Sequence, residues 1–324
     1  MFDAAGVTKE WVVKKIWHKW LAMMSVLVGI TLFAGFNQAD RSHSLALTLR
    51  APESNADVRS RYTQQLIVLA LEKTRAEYGD YSLSFTEPLN TVRTIDALRA
   101  RRYHNFVAKL SFDPQLESSG LARGNIDIDL DMTGYRVCFT RSALLPSLSR
   151  VRNLQDLSVF SHGQGQGWAD VAILKANGLK VKDEADYEHL FRMVSAAEVD
   201  LFCRGVTEIV EEMRSHSELP NLVIEPELLL YYPLPRFLYV NSQDKDLLER
   251  LEKGLALARQ DGSWMRLWLE NYAESIESLN LSKRRVVPLT NPLVKALPEF
   301  EKRKPAIPVL SLFDLDSSSA NSVR

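Results

Sequence analysis

A chain of 324 residues with 46% hydrophobic and 25% charged side chains has the composition of a globular protein, large enough for one large or two medium units. Its formal net charge of −1 supplies no dominant basic face, which excludes nucleic acid as a partner. The basic runs Arg99-Ala-Arg-Arg102 and Lys283-Arg-Arg285 read as solvated surface.

Lys14, Lys15 and Lys19 precede an apolar stretch, Leu21 to Gly35, and small residues follow near Ala39. That order predicts a signal peptide over 1–39 and an exported, periplasmic protein, with an uncleaved N-terminal anchor as the alternative. A spanning helix needs about 20 apolar residues, which favours the signal.

Alternation over Ser44–Arg50 predicts a first strand, and Tyr62–Thr74 a long helix ending near Gly79. A strand at Tyr81–Phe85, a helix at Asn90–Arg99 opened by a polar cap, and a strand at Asn105–Leu110 follow. Strands alternating with helices of this length predict βαβ units and a mostly parallel sheet. The alternating acids of Asp127–Asp131 read as a wet edge strand rather than a cation site, and Met132–Thr140 as another strand.

Leu157–Phe160 reads as a buried strand, followed by glycines at 163, 165 and 167 and a helix from Trp168 to Gly178. Two readings stay open for Gly163-Gln-Gly-Gln-Gly167: a turn aiming N–H groups at a polar ligand, or a turn that only needs positive φ. The spacing is not that of a dinucleotide loop, and no nucleotide or other cofactor is expected. A second unit repeats the pattern: helix Tyr187–Val194, strand Glu198–Cys203, helix Arg204–Arg214, then strand-like runs at Leu228–Tyr232 and Arg236–Asn241. Asp246–Leu257 and Gly262–Asn271 read as amphipathic helices, and the proline-rich chain from Pro288 as a surface-wrapping tail. Cys138 and Cys203 fit either a disulfide or two buried thiols. The scattered histidines give no metal site.

The sequence Gly163-Gln-Gly-Gln-Gly-Trp-Ala-Asp170, then Val199-Asp-Leu-Phe-Cys-Arg-Gly-Val-Thr-Glu208, Tyr232-Pro-Leu-Pro235, Phe237-Leu-Tyr-Val240 and Leu289-Thr-Asn-Pro292, resembles a branch of the family 3 extracellular solute-binding proteins over residues 44–293. The resemblance implies an α/β fold of two Rossmann-like lobes joined by two hinge strands, of the periplasmic binding protein type II kind. Lobe 1 would hold 44–135 and 242–281, lobe 2 138–236, and 282–324 would be a C-terminal extension. Its implied partners are a small polar or anionic solute, bound by hinge closure, and an inner-membrane permease or sensor.

The family's aspartate for an amino-acid ammonium has no counterpart where Cys203, Arg204 and Gly205 stand, so the usual clamp is in question. Arg204 offers instead a planar donor for carboxylate or phosphate, or a salt bridge to Glu208 one turn on. The candidate ligand-binding residues are Arg50, Tyr135, Arg136, Gln164, Gly165, Gln166, Gly167, Trp168, Arg204 and Gly205. Trp168 either stacks on ligand or packs into the core. Asp170 suits the helix N-terminus, and Arg59 and Tyr62 open the first helix as simple solvent face or cleft wall. Two other functions compete: a lyase-like enzyme using Glu208 with Arg204 or His162, and an interaction protein whose cleft has lost its ligand.

Overall fold

A computed structural model describes residues 44–303, and the N-terminal segment expected to be a signal lies outside the described residues. The first strand, β1 (Leu45–Ala51), alternates as expected, with Leu47 and Leu49 buried. Helix α1 (Arg61–Tyr78) lays Tyr62, Leu66, Ile67, Ala70, Leu71 and Thr74 on one face, the spacing of an amphipathic helix. It stops at Gly79, whose φ of 80° few other residues adopt. β2 (Tyr81–Pro88), α2 (Thr91–Arg99), β3 (Phe106–Ser111) and β4 (Leu121–Arg123) follow. Asn90 caps α2 by accepting from the Arg93 N–H.

The first sheet runs β2-β1-β3-β11-β4, where β11 is Arg236–Asn241 from far along the chain. β1 pairs parallel with β2 and β3, whereas β11 is antiparallel to both β3 and β4. The sheet is thus mixed, not mostly parallel, because β11 enters it from the opposite end. Helices α6 (Lys245–Gln260) and α7 (Ser263–Ser278) then pack back on α1.

The second sheet is built on β5 (Tyr135–Arg141), with β8 (Phe202–Gly205) on one side and β10 (Leu228–Tyr231) and β12 (Arg285–Pro288) on the other. β9 (Leu222–Ile224) also pairs with β5, and β6 (Ser161–Gly165) pairs with β7 (Lys180–Glu184). A bridge from His162 to Leu201 brings the β6–β7 pair to the strand that leads into β8. Helices α3 (Ala169–Ala176), α4 (Tyr187–Ser195) and α5 (Ile209–Ser215) belong to this half.

Several expectations need correction. Leu157 ends a helical turn, Leu154–Leu157, and the strand is Ser161–Gly165, so Gly163 and Gly165 lie in β6 and only Gly167 turns. Asp127–Asp131 is a loop rather than an edge strand. Asp127 accepts the N–H groups of Asp129, Asp131 and Arg236, and Asp129 pairs with Lys109. Of the two readings left open for Cys138 and Cys203, the disulfide is the one observed, between directly opposed residues of β5 and β8. The chain from Pro288, read as a surface-wrapping tail, packs closely as far as it is described. β12 extends the second sheet, and Val294, Leu297 and Phe300 bury against the cluster around Phe112 and Phe237.

The chain crosses between the two sheets three times: through 124–134, back through 232–235, and again between β11 and β12. The first two crossings lie side by side and touch: the Tyr232 N–H donates to the Gly134 carbonyl at 3.2 Å. A Cβ at Gly134 would lie 2.4 Å from the Tyr232 carbonyl oxygen, so this approach admits only glycine.

Candidate functional site

Where the two halves face each other, an open cavity lies between them. The carboxyl end of β1 (Leu49–Ala51), the first turns of α1 (Ser60, Thr63, Gln64, Ile67) and β3 (Val107–Leu110) form one wall. Trp168, Arg204 and Glu208 form the other, with Arg236 at the returning crossing. Sites beyond strand carboxyl ends are where open α/β sheets place ligands.

The wall is charged in layers. Among the described residues, Arg50, Arg59, Lys109, Arg204 and Arg236 line the space, but only two carboxylates do, those of Asp57 and Glu208. The acids that balance the arginines stand behind them. Arg204 donates Nε and Nη2 to Glu212 at 2.7–3.0 Å, and Glu212 is fully buried. Arg59 donates to Asp57 at 2.7 and 2.8 Å and to Glu53 at 2.8 Å, and Glu53 also takes the Nη2 of Arg50 at 2.5 Å. Lys109 stands 3.2 Å from Asp129.

Both lining carboxylates are saturated. Glu208 faces Arg236 at 3.0 Å and Arg204 at 2.9 Å, and also accepts the Gly205 N–H. Burial works against its charge, yet Arg204, Arg236 and Arg136 together hold its carboxyl well below the ordinary range. Burial likewise opposes the charge of Asp57, and Arg59 outweighs it, bringing that carboxyl down to about 2. For Lys109 burial wins and its pKa is lowered. Among the described residues, the hydrogen bonds of Arg59 and Arg204 run through Nε and Nη2 and none uses Nη1.

Trp168 is engaged before any ligand arrives. Arg204 stacks over its ring at 4.6 Å and Arg59 at 5.5 Å, and its indole lies over Gly165, where an added Cβ would meet the ring at 2.2 Å. Gly167 (φ 78°) turns the chain against Val92 of α2. Two further contacts join the halves. Ser54 donates to Glu188 at 2.5 Å, and the Arg59 guanidinium lies 3.7 Å above the Tyr187 ring.

Of the ten residues singled out in the sequence, Arg50, Trp168 and Arg204 come together on this cavity. Gly165 and Gln166 line a small neighbouring crevice, and Gly167 makes the contact with Val92. Gln164 is buried in β6 and donates to the Cys203 carbonyl, and Gly205 is spent on Glu208. Tyr135 packs on Tyr231. Arg136 sits fully buried between Asp170 and Tyr232, so Asp170 serves an ion pair and not the helix terminus alone. Lys109 and Arg236 were not among the candidates, and Arg59 was weighed only as solvent face or cleft wall. Arg59 alone carried a signal, its position at a helix start.

His162 is sealed in the core, with Nδ1 3.8 Å from the Cys203 sulfur and Nε2 without a hydrogen-bond partner among the described residues. Burial lowers its pKa to about 4, against about 6.5 in an unfolded chain. The unfolded state therefore takes up a proton first as pH falls. The stability this residue contributes is whole above pH 6.5 and is lost on the way down to about pH 4, to a total of about 3 kcal/mol. His162→Leu should flatten that loss, read as the difference between variant and wild-type urea denaturation at pH 7 and pH 4.5.

No protein-family model matches the sequence, and no curated protein sequence matches it significantly. Solved structures do match. The GluR0 ligand-binding core in complex with L-glutamate superposes with a TM-score of 0.55 at 9% identity, over 71% of this chain and 99% of that one. An arginine-specific periplasmic binding protein of Salmonella typhimurium gives 0.54 at 14% identity, over 71% and 100%. An ancestral arginine-binding protein bound to arginine gives 0.53 at 14%, over 70% and 98%. The chain has the type II periplasmic binding protein fold. At these identities the likeness is one of fold, and it places the cavity between the two lobes of that fold.

Proposed function

We propose that this protein captures a small anionic organic solute between its lobes by hinge closure, and is a binding protein rather than an enzyme. The observation that carries the reading is the layered wall: five cationic side chains against the cavity and only two carboxylates, both already saturated. A cationic solute such as arginine would meet like charges, and an amino-acid ammonium finds no free carboxylate. Leu49, Ile67, Val107 and Leu110 give the solute an apolar floor. The Ser54–Glu188 and Arg59–Tyr187 contacts are formed only with the lobes together, as hinge closure requires.

Glu208, the one acid considered for proton transfer, is held ionised by three arginines, which argues for binding over turnover. The likeness to exported binding proteins supports a periplasmic location and delivery to an inner-membrane permease or a sensor.

The test is thermal denaturation with matched sets of small carboxylates, their primary amides and their amines. At a hundredfold excess over Kd a bound carboxylate is expected to add about 2.7 kcal/mol and raise Tm by about 5–10 °C. Stabilisation by amines or amides with none by carboxylates would reject the anionic reading.

A further inference from the structure

We propose that β2 is a docking edge through which two copies of this chain pair, strand to strand and antiparallel, about a twofold axis at Leu83. β2 is the last strand of its sheet, and among the described residues nothing pairs with its outer side. Such an edge carries a row of free N–H and C=O groups, which proteins commonly protect with charges, prolines or bulges. From Tyr81 to Thr86 this strand has no charged residue and no proline. Its one irregularity in register lies beyond Leu49 and its partner Phe85, toward Pro88.

The side chains point to the occupant. Leu83 pairs in register with Leu47, and Phe85 with Leu49. Leu47 and Leu49 are buried beneath α1, yet Leu83 is 37% exposed and Phe85 55% exposed. The apolar layer of the sheet therefore runs out past the helix that covers it.

The sequence Tyr81-Ser-Leu-Ser-Phe85 reads alike in both directions, apolar at odd positions and serine at even ones. Opposed residues of an antiparallel pair share a face. An axis at Leu83 sets Leu83 on its own copy and Tyr81 on Phe85, joining the two apolar layers, with serine opposite serine on the reverse face. Pro88 falls outside these five pairs, where its missing N–H does no harm.

The covering helices do not obstruct the pairing. The β1 strands of the two copies would stand three strand spacings apart, about 14 Å, and packed helices need only about 8–10 Å. Five pairs bury less than a standard interface, so the dimer belongs to the weak, concentration-dependent class.

The test uses the purified full-length chain. Leu83→Cys is expected to give a disulfide-linked dimer under mild oxidation, seen on a non-reducing gel, because the axis brings the two introduced thiols together. Leu257→Cys, at an exposed position on α6, should stay monomeric. Sedimentation of wild type should show a monomer–dimer equilibrium that Leu83→Lys abolishes while Tm stays unchanged. Equal cross-linking of both cysteine variants, a wild type monomeric at every concentration, or a dimer that survives Leu83→Lys would overturn the proposal. Edge pairing with a foreign strand would show as a hetero-complex lost in Leu83→Lys without a wild-type dimer, and it too would overturn it.

Discussion

Arg204→Met is expected to destabilise the protein by about 3–5 kcal/mol and to abolish the rise in Tm on adding carboxylate. Arg204 is buried, and Glu212 behind it is inaccessible to solvent. The two share three hydrogen bonds, and Glu208 and Glu212 raise the arginine's pKa against the effect of burial. Removing the guanidinium leaves Glu212 with the Tyr187 hydroxyl and no positive charge, and removes the stacking on Trp168. A buried carboxylate without a cation is among the costliest single defects a core can hold.

The double variant Arg204→Met with Glu212→Met separates the two roles of the arginine. Replacing both members of a buried pair by apolar groups is often close to neutral, so most of the lost stability should return. Carboxylate binding should not return, because the guanidinium on the lobe 2 wall is gone. Urea denaturation measures the first outcome and thermal shift the second. A double variant as unstable as the single one would mean that Glu212 was never the liability. A double variant that still binds carboxylates would remove Arg204 from the site.

Much of the first lobe was legible in the sequence. Leu45–Ala51 alternates, and α1 shows its buried face at helical spacing. Both patterns are local and arise from one buried face. β6 shows why the second lobe was harder to read. Ser161-His-Gly-Gln-Gly165 has no apolar residue, yet His162 and Gln164 are fully buried in it. Surrounding packing forces a polar segment into a strand, and no local preference announces that. The apolar Leu157–Phe160 beside it attracted the strand reading and turned out to be the end of a helical turn.

The cleft divides in the same way. Arg204 lies at the carboxyl end of β8 and Trp168 just beyond β6, close to where the sequence reading put strand ends. Arg59 was harder to place, because Tyr187, the ring it stacks on, lies far along the chain. Arg136 was a ligand candidate, yet Asp170 and Tyr232 hold it inside the fold. Residue type and position indicated which groups are charged. Only the fold decides which of them line the cavity.

Loss of the Cys138–Cys203 disulfide is expected to lower stability by about 4 kcal/mol while leaving the cleft intact. The bond closes a loop with a sequence separation of 65, and in the chain-entropy account a loop of that size costs the unfolded state about 4 kcal/mol. In a protein of this size that corresponds to a Tm lower by about 10 °C. Both sulfurs lie in an apolar cluster with Leu201, Leu228 and Leu230, and the β5–β8 ladder holds the strands in register without the bond. The double Cys→Ala variant should therefore fold, melt early and still show the carboxylate-induced rise in Tm, since Arg204 is fixed by Glu212 and not by its neighbour Cys203. Reductant added to the folded protein should act only as fast as the core opens, because both cysteines are buried. Wild type and variant compared by calorimetry, with and without carboxylate, measure both effects. An unchanged Tm would mean that the unfolded chain keeps β5 and β8 together on its own. A lost ligand response would mean that the disulfide, one residue from Arg204, sets the position of that guanidinium.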